Sequence, residues 1–127
     1  MDGGDYAAWL DRSTRILQRK LPAADRQWGV ARKVINLFMR QCLYNAYLSR
    51  KYGLARFQKD MEIPLDSRVF RGLKKDAGRG KLPVWPRLKC LKKKTSETFQ
   101  SHARDLAARE GLPGRVFLDN LLLLMES

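Results

Sequence analysis

Residues 26–54 have the sequence RQWGVARKVINLFMRQCLYNAYLSRKYGL. Apolar residues recur in it at helical spacing on more than one face, which predicts a central helix over residues 26–52 that is buried on much of its circumference. Gly53 predicts the end of this helix. Gly29 costs a helix roughly 1 kcal/mol relative to alanine. It therefore marks a hairpin or a close backbone approach, or else a loosely formed first turn.

The second informative stretch, MEIPLDSRVFRGLKK, covers residues 61–75. Pro64 restricts Ile63 to extended geometry, so a helix cannot run through this point. Asp66 is a good N-cap residue, and its capping is worth about 1 kcal/mol. The pattern predicts a new helix that starts after Asp66 and ends near Gly72.

The remaining residues predict further helices and one long loop. Helices are expected over residues 5–21, from Thr95 or Ser96 to about 110, and after Asp119, with a short helix or turn over 54–62. Two glycines and two prolines predict a loop over 77–95. The expected fold is all-α, with five or six helices in a single domain that spans residues 1–127.

Length and composition bound the class of protein. A chain of 127 residues with 44% hydrophobic residues is long enough for one globular core. Cys42 and Cys90 form neither a disulfide framework nor a ligand cluster, and His102 is the only histidine, so neither a metal site nor a cofactor is expected. Free thiols and the lack of a signal or membrane-spanning stretch predict a cytoplasmic protein. A monomer without a membrane partner is expected.

The net charge of +13 is concentrated in one segment. Residues 68–94 contain eleven basic residues and one acidic residue, whereas residues 1–25 are neutral and residues 95–127 have a charge of −2. A localised basic block favours a polyanion, because binding releases the counterions condensed on phosphates. DNA is therefore the expected partner, with a solvated surface, an acidic protein and membrane headgroups as alternatives. The expected DNA-binding residues are Arg32, Arg68, Arg71, Lys74, Lys75, Arg79, Lys81, Lys92, Lys93 and Lys94.

Lys33 and Asp66 are the pair with potential chemistry. Each has a simpler interpretation, since Lys33 also suits a solvated helix face and Asp66 also suits an N-cap. Composition and spacing alone favour those structural roles. No glycine-rich phosphate loop or known hydrolase motif accompanies the pair.

The sequences around the two residues resemble those of helix-hairpin-helix DNA glycosylases. Gly29-Val30-Ala31-Arg32-Lys33 is similar to the end of the family's hairpin, and Ile63-Pro64-Leu65-Asp66-Ser67 is similar to its catalytic-aspartate motif. The order and the 33-residue interval resemble the archaeal 8-oxoguanine glycosylase branch. The likeness covers residues 26–75. Ala31 stands where the second hairpin glycine is usual, and Gln27-Trp28 where Pro-Gly is usual.

The resemblance implies a DNA glycosylase, with AP-lyase activity as an option. Cleavage of an N-glycosidic bond builds positive charge on the sugar, which the Asp66 carboxylate would stabilise. The Lys33 amine would add to C1′ as a Schiff-base nucleophile, with Arg32 as a cationic neighbour that lowers its pKa. The implied target is oxidised guanine, and a modified phage base in a defence role is a further option.

A base must leave the duplex before a glycosylase can act on it. Four aromatic residues are expected to stack on such a base: Trp28, Phe38, Tyr44 and Trp85. Trp85 has an alternative role as a hydrophobic plug that pins the basic loop to the core. The main rival function is a non-catalytic nucleic-acid-binding protein that uses residues 68–94, and a third is a helical adaptor that binds another protein.

Overall fold

The computed structural model describes residues 3–126 and is all-helical over that range. The α-helices are α1 (Gly3–Lys20), α2 (Trp28–Tyr44), α3 (Ala46–Tyr52), α4 (Ser67–Ala77), α5 (Lys93–Arg109) and α6 (Asp119–Glu126), joined by short 3-10 turns. The expected all-α class is therefore confirmed. Within these residues, none of the helices has the length and apolar character needed to cross a membrane.

The predicted helix over residues 26–52 is divided at Asn45. The Asn45 side chain accepts a hydrogen bond from the Leu48 N–H at 2.9 Å and so caps α3, while its own N–H bonds to the Gln41 carbonyl. Asparagine favours such caps because its side chain competes with the backbone for hydrogen bonds. Gly53 ends α3 in the left-handed conformation, with φ of 60°, as predicted.

Gly29 is buried within the first turn of α2, so residues 29–33 are helical and do not form a hairpin. The expectation of a hairpin at these residues is wrong, and the expectation of a close backbone approach is confirmed. A Cβ at Gly29 would lie 2.3 Å from the Leu88 carbonyl oxygen and 2.9 Å from the Leu91 Cβ. Glycine here lets α2 pack directly against the loop that precedes α5.

The helix that starts after Asp66 does not stop at Gly72 but continues to Ala77. Gly72 is buried, and a Cβ there would lie 2.8 Å from the Leu122 side chain, so this glycine brings α4 close to α6. Gly78, with φ of 95°, follows the actual end of α4. α5 begins at Lys93, two or three residues before the predicted caps.

The core consists of two groups of buried side chains. The N-terminal cluster lies between α1, α2 and the turn at residues 54–57, and includes Tyr6, Leu10, Ile35 and Phe57. The C-terminal cluster lies between α4, α5 and α6, and includes Leu73, Phe99, Leu106 and Leu122. α2 contributes to the first group and is covered on another side by the loop that ends at Leu91.

Residues 61–66, here called the buried connector, pass between the two clusters without helix or strand structure. The Gln100 amide donates to the Ile63 carbonyl at 2.7 Å and accepts from the Ile63 N–H at 3.1 Å. The buried Arg115 guanidinium donates to the carbonyls of Asp60 and Met61. Burial lowers the pKa of Arg115 to about 10. These bonds replace the hydrogen bonds that a regular element would supply.

We predict that Gly29→Ala lowers the free energy of unfolding by about 1–3 kcal/mol, because the new methyl group would displace backbone at Leu88. Urea unfolding measures this loss. Gly72→Ala is the matched control. Its methyl group meets the Leu122 side chain and no backbone atom, and alanine favours the helix, so the loss should be smaller than that of Gly29→Ala. Equal stability of Gly29→Ala and wild type would contradict the close approach.

Asp76 ties α4 to α5 through His102 Nε2 at 2.7 Å and through Arg109. Burial alone would raise the pKa of Asp76, but the hydrogen bonds from Arg109 and His102 outweigh it and lower this pKa below the usual 3.8. A depressed carboxyl pKa stabilises the folded state above about pH 4, and this contribution is lost as the pH falls through the lowered value.

We therefore predict that Asp76→Asn is less stable than wild type at pH 7 and that the difference shrinks as the pH falls below about 4. Urea midpoints measured between pH 2 and pH 7 provide the comparison. Arg109→Gln, which removes one partner of Asp76, should lie between the two proteins. A constant difference across this pH range would show that Asp76 does not couple folding to protonation.

Candidate functional site

Asp66 is the N-cap of α4, as the sequence predicts. Its Oδ1 accepts a hydrogen bond from the Val69 N–H at 2.9 Å. The same side chain lines an open cavity of about 240 Å³ between α2, α4 and α6. Arg40, Arg68 and Asp119 also line this space, which we call the carboxylate cavity. The cap fixes the Asp66 carboxylate at the cavity wall.

Asp119 and Arg40 form an ion pair across the carboxylate cavity, between the start of α6 and the middle of α2. Burial raises the pKa of Asp119, Arg40 lowers it, and the charge of Asp66 raises it further, with a net increase above the usual value. Two carboxylates in different environments at one cavity are a typical arrangement for acid–base chemistry. Neither Arg40 nor Asp119 is identified by the sequence patterns, which show Asp119 only as the start of a helix.

Lys33 lies on α2 two turns before Arg40, so the two side chains share one face about 10 Å apart along the helix axis. Lys33 is partly exposed and borders a separate cavity of about 10 Å³, together with Leu65 and Leu91. Asp66, the residue after Leu65, faces the larger carboxylate cavity. The fold therefore brings Lys33 and Asp66 to the same side of α2 but into different cavities.

Arg32 is not placed to contact DNA, because only 6% of it is exposed. Its guanidinium donates to both carboxylate oxygens of Glu62, at 2.9 and 3.1 Å, and to Asp11 at 2.9 Å. Asn36 donates a further hydrogen bond to Glu62 at 3.0 Å. Burial alone would lower the pKa of Arg32, but Glu62 and then Asp11 outweigh it and raise this pKa. Arg32 is thus a structural cation that holds the buried connector to α2.

All eleven basic residues of segment 68–94 are exposed, as a DNA-binding surface requires. We call this segment the basic surface. Its cations lie along α4, along the loop that follows and at the first turn of α5. Among them, Lys93 lies 3.0 Å from Asp11 and Lys89 lies 3.6 Å from Asp25.

The loop of the basic surface is pinned to the core by Trp85. The Trp85 ring lies 5.9 Å from the Phe70 ring and 5.9 Å from the Phe99 ring. Trp85 therefore packs against the core as a hydrophobic plug, the alternative role expected for it from the sequence. Arg87 in the same loop has φ of 76° and ψ of 151°, a conformation that costs non-glycine residues about 1–3 kcal/mol.

The other three aromatic residues expected to stack on a base differ in how far their rings are exposed. Trp28 is partly buried against the C-terminal cluster, with the Arg32 guanidinium 5.0 Å from its ring centre. Tyr44 is half-exposed but stacks on Phe117 at 5.9 Å. Phe38 is 64% exposed. Phe38 is therefore the candidate with the most open ring face for a base.

Comparison with known proteins finds no family model, no curated protein and no solved structure that matches this chain. The function is therefore inferred from the residues and geometry of this chain, together with the local resemblance at residues 26–75.

We predict that Glu62→Leu destabilises the protein by about 3–5 kcal/mol, because it leaves the buried Arg32 cation without its main partner. The double variant Arg32→Met/Glu62→Leu should recover much of this loss, since it replaces the pair by apolar groups. Urea unfolding measures both effects. If Arg32 contacts phosphates instead, the double variant will bind DNA several-fold more weakly than wild type.

Proposed function

We propose that the protein is a DNA glycosylase that excises a damaged or modified base, with Asp66 as its central carboxylate. One observation carries this proposal: the cavity lined by Asp66 is also lined by Arg68, the first cation of the basic surface. A strand whose phosphates lie on the basic surface would thus bring a nucleotide sugar to the Asp66 carboxylate. The six helices would then be a helix-hairpin-helix glycosylase scaffold in which the first turn of α2 replaces the hairpin.

The proposed reaction is hydrolytic. As the bond between the base and C1′ breaks, positive charge develops on the sugar, and the Asp66 carboxylate stabilises it. Water adds to C1′, its proton passes to a carboxylate, and the base leaves with the bonding electrons and takes up a proton. Asp119 is suited to accept the proton of the water because it shares the cavity. Arg40 and Arg68 would hold the flanking phosphates.

Lyase chemistry through Lys33 has less geometric support. Its cavity of about 10 Å³ is too small for a sugar, and a Schiff base at C1′ would require that cavity to join the carboxylate cavity. We therefore propose base excision as the main activity and AP-lyase activity as an addition. Oxidised guanine or a modified phage base is the proposed target. The protein would act in the cytoplasm as a monomer without a cofactor.

A non-catalytic nucleic-acid-binding protein is the second candidate. The observation that favours it is the hydrogen bond from the Val69 N–H to Asp66, because N-capping alone accounts for an aspartate at this position. The basic surface would then be the entire functional site. The two functions differ in the expected effect of Asp66→Asn, which should impair a glycosylase and leave a non-catalytic DNA-binding protein unchanged.

We predict that Asp66→Asn strongly slows base excision while DNA affinity and stability stay near wild type, because asparagine also caps helices. The expected rate loss is about 100-fold or more. The assay measures strand cleavage by hot alkali after incubation with a duplex that contains one 8-oxoguanine, and with phage genomic DNA that contains modified bases.

Two controls separate the alternatives in that assay. Lys33→Gln should retain excision, and borohydride trapping on a duplex with one abasic site shows whether wild type forms an adduct that this variant lacks. Excision retained by Asp66→Asn would contradict the proposed role of Asp66. Tight DNA binding by wild type without excision on either substrate would favour the non-catalytic binder.

The basic surface gives a separate prediction. Lys92→Gln/Lys94→Gln should weaken duplex binding at 0.1 M salt and reduce the slope of log affinity against log salt concentration by about 2, since each lost phosphate contact removes about 0.9. Fluorescence anisotropy at several salt concentrations measures the slope. Lys20→Gln/Lys59→Gln removes two exposed cations outside the basic surface and should leave the slope unchanged. Equal slopes for the two double variants would contradict the assignment.

A further inference from the structure

An open apolar groove of about 570 Å³ lies between α1, α2, α3 and the turn at residues 54–57. Its walls include Trp9, Phe38, Leu48, Tyr52 and Phe57. We call it the aromatic groove. It lies on a different side of α2 from the carboxylate cavity, because Phe38 and Arg40 are two residues apart on a helix and so point about 200° apart.

Two of the aromatic rings that line this groove are exposed to solvent. Phe38 is 64% exposed and Tyr52 is 56% exposed, and Tyr47, on the same short helix as Tyr52, is 67% exposed. A cluster of exposed aromatic rings beside an open groove is typical of a binding surface rather than of a solvent-facing helix. Packing within the chain leaves much of the surface of these rings uncovered.

Lys51 and Arg56 lie over aromatic rings at or beside the groove. The Lys51 amine lies 5.6 Å from the Tyr47 ring centre and 5.5 Å from the Tyr52 ring centre. The Arg56 guanidinium lies 4.6 Å from the Phe57 ring centre and borders the groove. The groove thus combines the exposed rings of Phe38 and Tyr52, on which bases can stack, with cations that can contact phosphates.

The charge at the groove favours a negatively charged occupant. The described residues that line it include Arg56 and no aspartate or glutamate, and Lys51 lies beside the Tyr52 ring. A partner that combines apolar planar groups with negative charge therefore suits this groove. Unpaired nucleotides meet both conditions, whereas a paired duplex hides the faces of its bases.

We infer that the aromatic groove binds the unpaired bases of a single nucleic-acid strand, which stack on Phe38 and Tyr52 while Lys51 and Arg56 contact the phosphates. This inference takes nucleic acid as the partner from the proposed function but does not depend on catalysis. The groove would hold a displaced or single-stranded segment on one side of α2 while the basic surface holds a duplex.

The test uses fluorescence anisotropy with a labelled twelve-residue oligothymidylate and a labelled twelve-base-pair duplex. Phe38→Ala/Tyr52→Ala should weaken oligothymidylate binding about five-fold or more and leave duplex binding unchanged. Phe38→Tyr keeps a stacking ring and should bind the oligothymidylate like wild type. Leu124→Ala, which truncates an exposed apolar side chain outside the groove, is the matched control.

Unchanged oligothymidylate affinity in Phe38→Ala/Tyr52→Ala, or an equal loss for both DNAs, overturns the inference. Wild type that binds the duplex but not the oligothymidylate overturns it and leaves the proposed function intact. Wild type that binds neither DNA contradicts both. If an acidic amphipathic peptide binds instead, and the double variant releases it, the groove docks a protein helix and the inference is wrong.

Discussion

The structure depends on how the polar groups of the buried connector are satisfied. A backbone segment that is buried without helix or strand partners is costly unless side chains take over its hydrogen bonds. Here the Gln100 amide hydrogen-bonds both the N–H and the carbonyl of Ile63, and the Arg115 guanidinium donates to the carbonyls of Asp60 and Met61. Arg32 and Asn36 hold Glu62. α2 and α5 are thereby fixed to the same six residues.

The connector ends at Asp66, so this network determines where the candidate site lies. The bonds at Ile63 and Glu62 fix the segment directly before Asp66, and the bond from Val69 fixes the carboxylate itself. The cations of α4 follow at once, with Arg68 at the cavity. A preorganised carboxylate next to a basic surface is the arrangement that the proposed reaction on a nucleotide sugar would require.

Features that depend on local chemistry were predictable from the sequence, whereas features that depend on distant partners were not. The cap at Asp66 and the stop at Gly53 each follow from one residue type in its local context, whereas the sequence left the role of Gly29 open because its neighbours Leu88 and Leu91 are distant in the chain. The burial of Arg32 was missed because its partner Glu62 lies 30 residues away, and an arginine beside a lysine appears solvent-exposed in the sequence. The pairing of Arg40 with Asp119 spans 79 residues and leaves no local signal.

The proposed function requires that a nucleotide sugar enter the carboxylate cavity and meet Asp66. A crystal structure with a duplex that contains one pyrrolidine abasic-site analogue tests this directly, because the cationic ring nitrogen represents the charge that develops on the sugar. We expect this nitrogen within hydrogen-bond distance of the Asp66 carboxylate, with the flanking phosphates at Arg40 and Arg68. A duplex bound along the basic surface with its analogue outside the cavity would contradict it.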